Sequence, residues 1–189
     1  MKSKQWIVIL FVGLLTLAAC GPLRAAGSEG GVEEGCPTVT GDMQLLVNDE
    51  HGYCLLYPAG FEASQPVEYE TMIVGPVPGA GDRARAFVEV HESAGRTAEQ
   101  VADEAVAEIT GNLPGFEIER GSVTIGGEEA VVLDNVPGQD IGRQVVAVRG
   151  DRVYKLTFVP ADETQAEAYQ QMEALYAAVI DSFTFLPGK

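Results

Sequence analysis

Cations, histidine and cysteine are all scarce in this chain, and each shortage removes a class of function. It has 12 Lys and Arg against 28 Asp and Glu, a formal charge of −16 over 189 residues. A nucleic-acid binder needs clustered cations to displace phosphate counterions, so nucleic acid is excluded as a partner. Only two histidines, His51 and His91, and three cysteines occur, with no CxxC spacing, which leaves a metal centre or a redox pair without motif support. No apolar run reaches the roughly 20 residues that a bilayer-spanning helix needs. HExxH, P-loop, EF-hand and Gly-x-Ser-x-Gly sequences are missing, and two histidines do not assemble a persuasive Ser-His-acid order. What is present, 46% hydrophobic residues with 22 Gly and 10 Pro spread through the chain, is the composition of a globular domain, and the length is that of one domain.

The first 20 residues read as an export signal. Lys2 and Lys4 form a positive start, Trp6 to Leu17 is almost wholly apolar, and Leu17-Ala18-Ala19-Cys20 closes the segment. Small residues directly before a cysteine resemble the lipobox of bacterial lipoproteins. The resemblance implies cleavage after residue 19 and acylation of Cys20, which would hold the chain to a lipid bilayer. Several acyl chains give stable attachment, because each buried CH₂ contributes roughly 0.8 kcal/mol. Loss of residues 1–19 takes two lysines and no acid, leaving 10 basic and 28 acidic residues and a charge of −18. An anionic membrane repels such a body, so the lipid must do the anchoring. Residues 20–35, rich in Gly, Ala and Glu and without apolar periodicity, read as a flexible tether, and residues 36–189 as one globular domain. The acidity also keeps a protein soluble and monomeric.

With Cys20 acylated, Cys36 and Cys54 are an even remainder in an exported chain and are expected to form a disulfide. The closed loop of about 18 residues is worth roughly 3 kcal/mol. Turn chemistry then divides the domain. Gln44–Val47 and Tyr53–Tyr57 read as a hairpin ended by Pro58, and Val67–Val74 and Arg85–His91 as strands flanking a Pro- and Gly-rich loop at 75–82. Thr97-x-x-Gln100 has capping-box spacing ahead of a stripe of Val101, Ala102, Ala105, Val106 and Ile109. Phe116–Arg120, Ser122–Ile125 and Ala130–Leu133 suggest strands that turn on Gly126-Gly127, and Gln144–Val148 with Val153–Val159 suggest a further hairpin. Asp162, with Gln165 three residues on, reads as the cap of a second helix with Tyr169, Met172, Tyr176, Val179 and Ile180 on its apolar face. Ser182–Phe185 alternates as a closing strand. Hairpin connections make the sheet antiparallel; the two helices either cover a face each or share one.

As an ordered set these segments resemble the PsbP/Mog1-like superfamily: Gly52-Tyr53-Cys54-Leu55-Leu56-Tyr57-Pro58 with Phe61, Ile125-Gly126-Gly127 before Ala130, Val153-Tyr154-Lys155-Leu156-Thr157-Phe158, and Ile180-Asp181-Ser182-Phe183. They span roughly residues 43–186. Phe61 stands where many relatives have Trp. The resemblance implies an α+β fold, an α/β/α sandwich with a central antiparallel sheet and two main helices. It also implies a non-enzymatic binding or assembly module, since the superfamily includes photosystem assembly factors, a nuclear-transport GTPase partner and bacterial lipoproteins without a shared catalytic motif. No catalytic residue, cofactor or metal carries over.

One polar constellation stands out. Alternation in Arg85–His91 sets Phe87, Glu89 and His91 on one face, where Glu89 and His91 can meet Arg143 or Lys155 from later strands; an ordinary ion pair is the plainer reading. His51 sits beside Asp49 and Glu50 in a hairpin loop. Gly79-Ala80-Gly81-Asp82-Arg83-Ala84 has dinucleotide-fingerprint spacing, but prolines precede it and a strand follows. Arg149-Gly150-Asp151 is good turn chemistry, and Asp134–Asp140 lacks alternating calcium ligands. The expected role is a membrane-anchored extracytoplasmic binding module with an envelope protein as partner. The alternatives are an envelope hydrolase or a small-ligand-binding protein with an unrecognised site.

Overall fold

The computed structural model describes residues 24–25, 35–68, 70–77 and 82–188. The expected export signal, Cys20, most of the expected tether and residues 79–81 of the 79–84 glycine segment lie outside the described residues.

Two sheets form, and every strand pairing is antiparallel. The smaller contains β1 (Arg24–Ala25), β2 (Met43–Asn48), β3 (Tyr53–Pro58) and β11 (Thr184–Phe185), in the order β1-β2-β3-β11. The larger runs β4 (Glu62–Val67), β5 (Glu70–Val74), β6 (Arg85–Glu92), β10 (Arg152–Val159), β9 (Gly142–Arg149), β8 (Glu128–Val136), β7 (Glu119–Ile125). Helix α1 (Ala98–Asn112) follows β6, and α2 (Ala166–Ser182) follows β10.

Strand β8 shows which face each helix takes. Ala130 and Val132 join the main core with Met172, Leu175, Val179 and Ile180 of α2. Val131 and Leu133 point the other way and pack with Ala102, Ala105, Val106 and Ile109 of α1. Because successive strand residues alternate faces, the helices lie on opposite sides of the sheet. The result is an α/β/α sandwich, with the small sheet beside α2. Leu46, Tyr53, Leu55 and Tyr57 point into the main core, while Leu45, Cys54 and Leu56 form an outer cluster with Cys36. Cys36 and Cys54 form the disulfide, their Cα atoms 5.8 Å apart. Phe61 is core, and a Cβ on Gly75 would lie 2.8 Å from its ring.

The capping box at Thr97 forms in full, with Thr97 Oγ1 accepting from the Gln100 amide and Gln100 Oε1 from the Thr97 amide. Four sequence expectations need correction. The closing strand is Thr184–Phe185 alone, because Ser182 ends α2 and Phe183 caps it. Val67–Val74 is the end of β4, a turn and β5: the Glu62–Val67 strand is a polar sheet edge with no apolar period to reveal it. Phe116–Ile118 precedes β7 and is not strand. The second helix begins after Gln165, which makes no side-chain cap, because Asp162 Oδ1 instead accepts from the amide and hydroxyl of Thr164 in a preceding turn.

Candidate functional site

The sheet face that carries α1 is only partly covered. The helix lies over β8 and β9, leaving the neighbouring stretch of β6 and β10 open. The β8–β9 connection overhangs part of that stretch. Its geometry follows from a bulge: the register between β8 and β9 shifts between Leu133 and Val136, and Asn135 takes a left-handed φ of 62°. Residues Val136–Asp140 therefore rise as one wall of a cleft of about 220 Å³. Phe87 of β6, Thr157 and Val159 of β10 and Gly142 and Gln144 of β9 also line it. Gly142 keeps the space open, since a Cβ there would meet Val159 Cγ1 at 3.0 Å and the Phe158 carbonyl at 3.2 Å.

One ion pair crosses the cleft: an Arg85 Nη donates to Asp140 Oδ2 at 2.7 Å, and both side chains are largely buried. Arg85 Nε is buried with no hydrogen-bond partner among the described residues. It is a donor that a bound acceptor would satisfy. Among the described residues Thr157 is the only hydroxyl in the lining, and no histidine, cysteine, serine or lysine joins it.

The sequence-derived polar group divides between the two faces. Lys155 and Glu89 are cross-strand partners, with Nζ 2.8 Å from Oε2, and His91 Nε2 lies 3.2 Å from the same oxygen. Glu89 and Lys155 lie one pleat along from Phe87 and Thr157 and His91 one pleat further, and none of the three lines the cleft. Arg143 faces the opposite side. It bonds Asp134 at 2.6 Å and Glu173 of α2 at 2.9 Å, with its guanidinium 4.7 Å from the Tyr176 ring centroid. Burial alone would lower the Arg143 pKa, but the Asp134 hydrogen bond and the surrounding carboxylates raise it. Parity is the reason for the separation. Val145 and Ala147 of β9 face α2, so Arg143 does too, whereas Lys155 shares the parity of Thr157.

His51 is a turn residue whose Nε2 lies 2.6 Å from the Glu68 carbonyl. Arg149 pairs with Glu128 and lies over Phe185, and Gly150 supplies the positive φ of the β9–β10 turn. Among the described residues no helix is long and apolar enough to cross a membrane, and no group of His, Cys, Asp or Glu is placed to hold a metal ion. Sequence reasoning missed Arg85, Gln144 and Asp140. The alternation of β6 was a signal for Arg85, but nothing local marked the bulge that brings Asp140 over it.

Solved structures identify the architecture. Cyanobacterial PsbP (CyanoP) from Synechocystis sp. PCC 6803 superposes over 85% of this chain and 98% of its own, at a TM-score of 0.52 and 14% identity. The domain has a PsbP-like fold. LpqN, involved in cell envelope biogenesis of Mycobacterium tuberculosis, aligns over 71% of this chain and 83% of its own, with 20% identity and a TM-score of 0.48. A Bacteroides thetaiotaomicron protein aligns at a TM-score of 0.45 and 13% identity over 72% of this chain, which spans 46% of that protein's length. No protein-family model and no curated protein sequence matches the chain.

Proposed function

We propose that this protein is an extracytoplasmic lipoprotein, exported by residues 1–19 and held to the cell membrane by acylated Cys20, whose PsbP-like domain is a non-catalytic binding or assembly module of the envelope. The cleft is its contact site. The observation that carries this reading is the chemistry of the lining. Phe87, Val136, Pro137 and Val159 supply apolar surface, Gln139, Gln144 and Thr157 supply hydrogen bonds, and the one charged pair is internally neutralised. A small concave site with a few convergent polar groups suits recognition. Nucleophilic chemistry needs a nucleophile within reach of a free base, and the only lining carboxylate among the described residues is already bonded to Arg85.

Two experiments separate anchor from module. Cys20→Ser should move the protein from the membrane to the soluble fraction and abolish incorporation of a labelled fatty acid; unchanged fractionation would refute the anchor. A benzophenone amino acid at Gln139, in the full anchored chain, should give a reproducible envelope crosslink that the same probe at exposed Glu163 does not. Equal products from both positions would refute the cleft as contact site. Ester or amide hydrolysis lost in Thr157→Val would refute the non-catalytic reading.

A further inference from the structure

The two edges of the seven-stranded sheet are built differently. Strand β4 carries the usual protections against edge pairing: Pro66, exposed Glu62 and a register break between Ser64 and Val67. Strand β7 has exposed charge at Glu119 and Arg120 but neither a proline nor a register break. Its seven residues pair with β8 without a break, Glu119↔Asp134 through Ile125↔Glu128, and it contains no proline. Among the described residues no strand pairs with its outer side.

The direction of the free backbone groups follows from the hairpin. Gly126 and Gly127, at φ of 56° and 85°, make a two-residue turn. Such a turn closes on a hydrogen-bonded pair, here Ile125 and Glu128, and bonded pairs alternate with unbonded ones along an antiparallel ladder. Arg120, Ser122 and Thr124 therefore turn their N–H and C=O groups away from β8. All three residues are exposed. Among the described residues, the charge around this strip that makes no ion pair has one sign. Glu117, Glu119 and Glu129 are exposed and make no ion pair among the described residues, whereas Arg120 is already bonded to Glu99 and Asp103 of α1.

We infer that β7 is a strand-addition site for an extended, positively charged segment of a partner protein, with main-chain bonds to Arg120, Ser122 and Thr124 and its cations toward Glu119 and Glu129. Main-chain pairing supplies affinity in this mode of recognition, and side chains supply selectivity. A second copy of the chain is the wrong occupant, because it brings the same carboxylates to the same strip and a net charge of the same sign.

The probe is a capped seven-residue peptide of alternating Lys and Val, titrated into the full chain in detergent micelles while exchange of individual amides is followed. Saturable binding should slow exchange at Arg120, Ser122 and Thr124, and N-methylation of alternate peptide residues along one edge, or Glu in place of Lys, should abolish it. Ser122→Pro removes an outward donor and leaves the bonds to β8 in place; it should weaken binding about tenfold or more with Tm unchanged. Should that variant unfold, Glu119→Lys tests the charge requirement and should weaken binding severalfold. The inference is overturned if protection falls on β4 or the cleft, or if the N-methylated peptide binds equally well. Protection of the same three amides that grows with protein concentration in the absence of peptide would identify a second copy as the occupant and overturn the assignment.

Discussion

Thr71→Val probes the joint between the two sheets. Tyr53 of β3 donates its hydroxyl to Thr71 Oγ1 of β5 at 2.7 Å, and Asn48 Nδ2 lies 3.3 Å from Thr71 Oγ1 and 3.4 Å from the Tyr53 oxygen. Tyr53 and Thr71 are 0% exposed and Asn48 3%. Valine keeps the shape of threonine and removes the acceptor, leaving the tyrosine hydroxyl a buried donor with nowhere to donate. That costs about 1–3 kcal/mol, and at roughly 2–4 °C per kcal/mol for a domain of this size the expected fall in Tm is about 2–12 °C. Removing the Tyr53 hydroxyl as well removes the unsatisfied donor, so Tyr53→Phe/Thr71→Val should lose less than the sum of the two single variants, by about 1 kcal/mol in urea unfolding. Strict additivity, or a Thr71→Val loss under about 0.5 kcal/mol, would refute the assignment of this triad as the joint.

The same hydroxyl sets a pH limit: burial pushes the Tyr53 pKa up to about 12, against the lowering effect of its bonds to Thr71 and Asn48. Below pH 10 the group is neutral folded and unfolded and its stabilisation is fully present. As pH rises from 10 to 12 only the unfolded chain releases the proton, so roughly 3 kcal/mol of stability should disappear; a Tyr53→Phe variant that loses as much in alkaline denaturation would contradict this. Gly126→Ala should be far more damaging than Gly127→Ala, since both glycines have positive φ but only at Gly126 would a Cβ lie 2.5 Å from the Phe185 ring; thermal melts of the pair compare a core clash with backbone strain alone, and equal losses would argue against the Phe185 contact. Replacing Cys36 and Cys54 together by Ala should lower stability by roughly 3 kcal/mol, as expected for a closure of 18 residues, and reductant should shift the urea midpoint of the parent chain but not of the variant.

The residue pattern alone carried the local elements. Thr97 and Gln100 announced α1, the glycine pair announced the β7–β8 turn, and the cysteine count announced the disulfide. Each is a short-range signal, legible because capping, left-handed backbone and thiol parity act within a few residues or by simple counting. Strand β4 escaped because a sheet edge buries too little to show an apolar period.

The candidate site was legible only in fragments. Period-two alternation placed Phe87, Glu89 and His91 on one face, but it states neither which strand lies alongside nor which helix covers that face. Only the tertiary pairing of β6 with β10 brought Lys155 to Glu89, and only the parity of β9 sent Arg143 to the other side against Glu173. The bulge at Asn135 that swings Asp140 onto Arg85, and the edge position that leaves β7 without a partner, likewise depend on strand order. Sequence determined the acidity and most of the elements, because these are properties of composition and of neighbouring residues. The cleft and the open edge belong to the tertiary structure, because both are made by residues that meet only when distant strands close on one another.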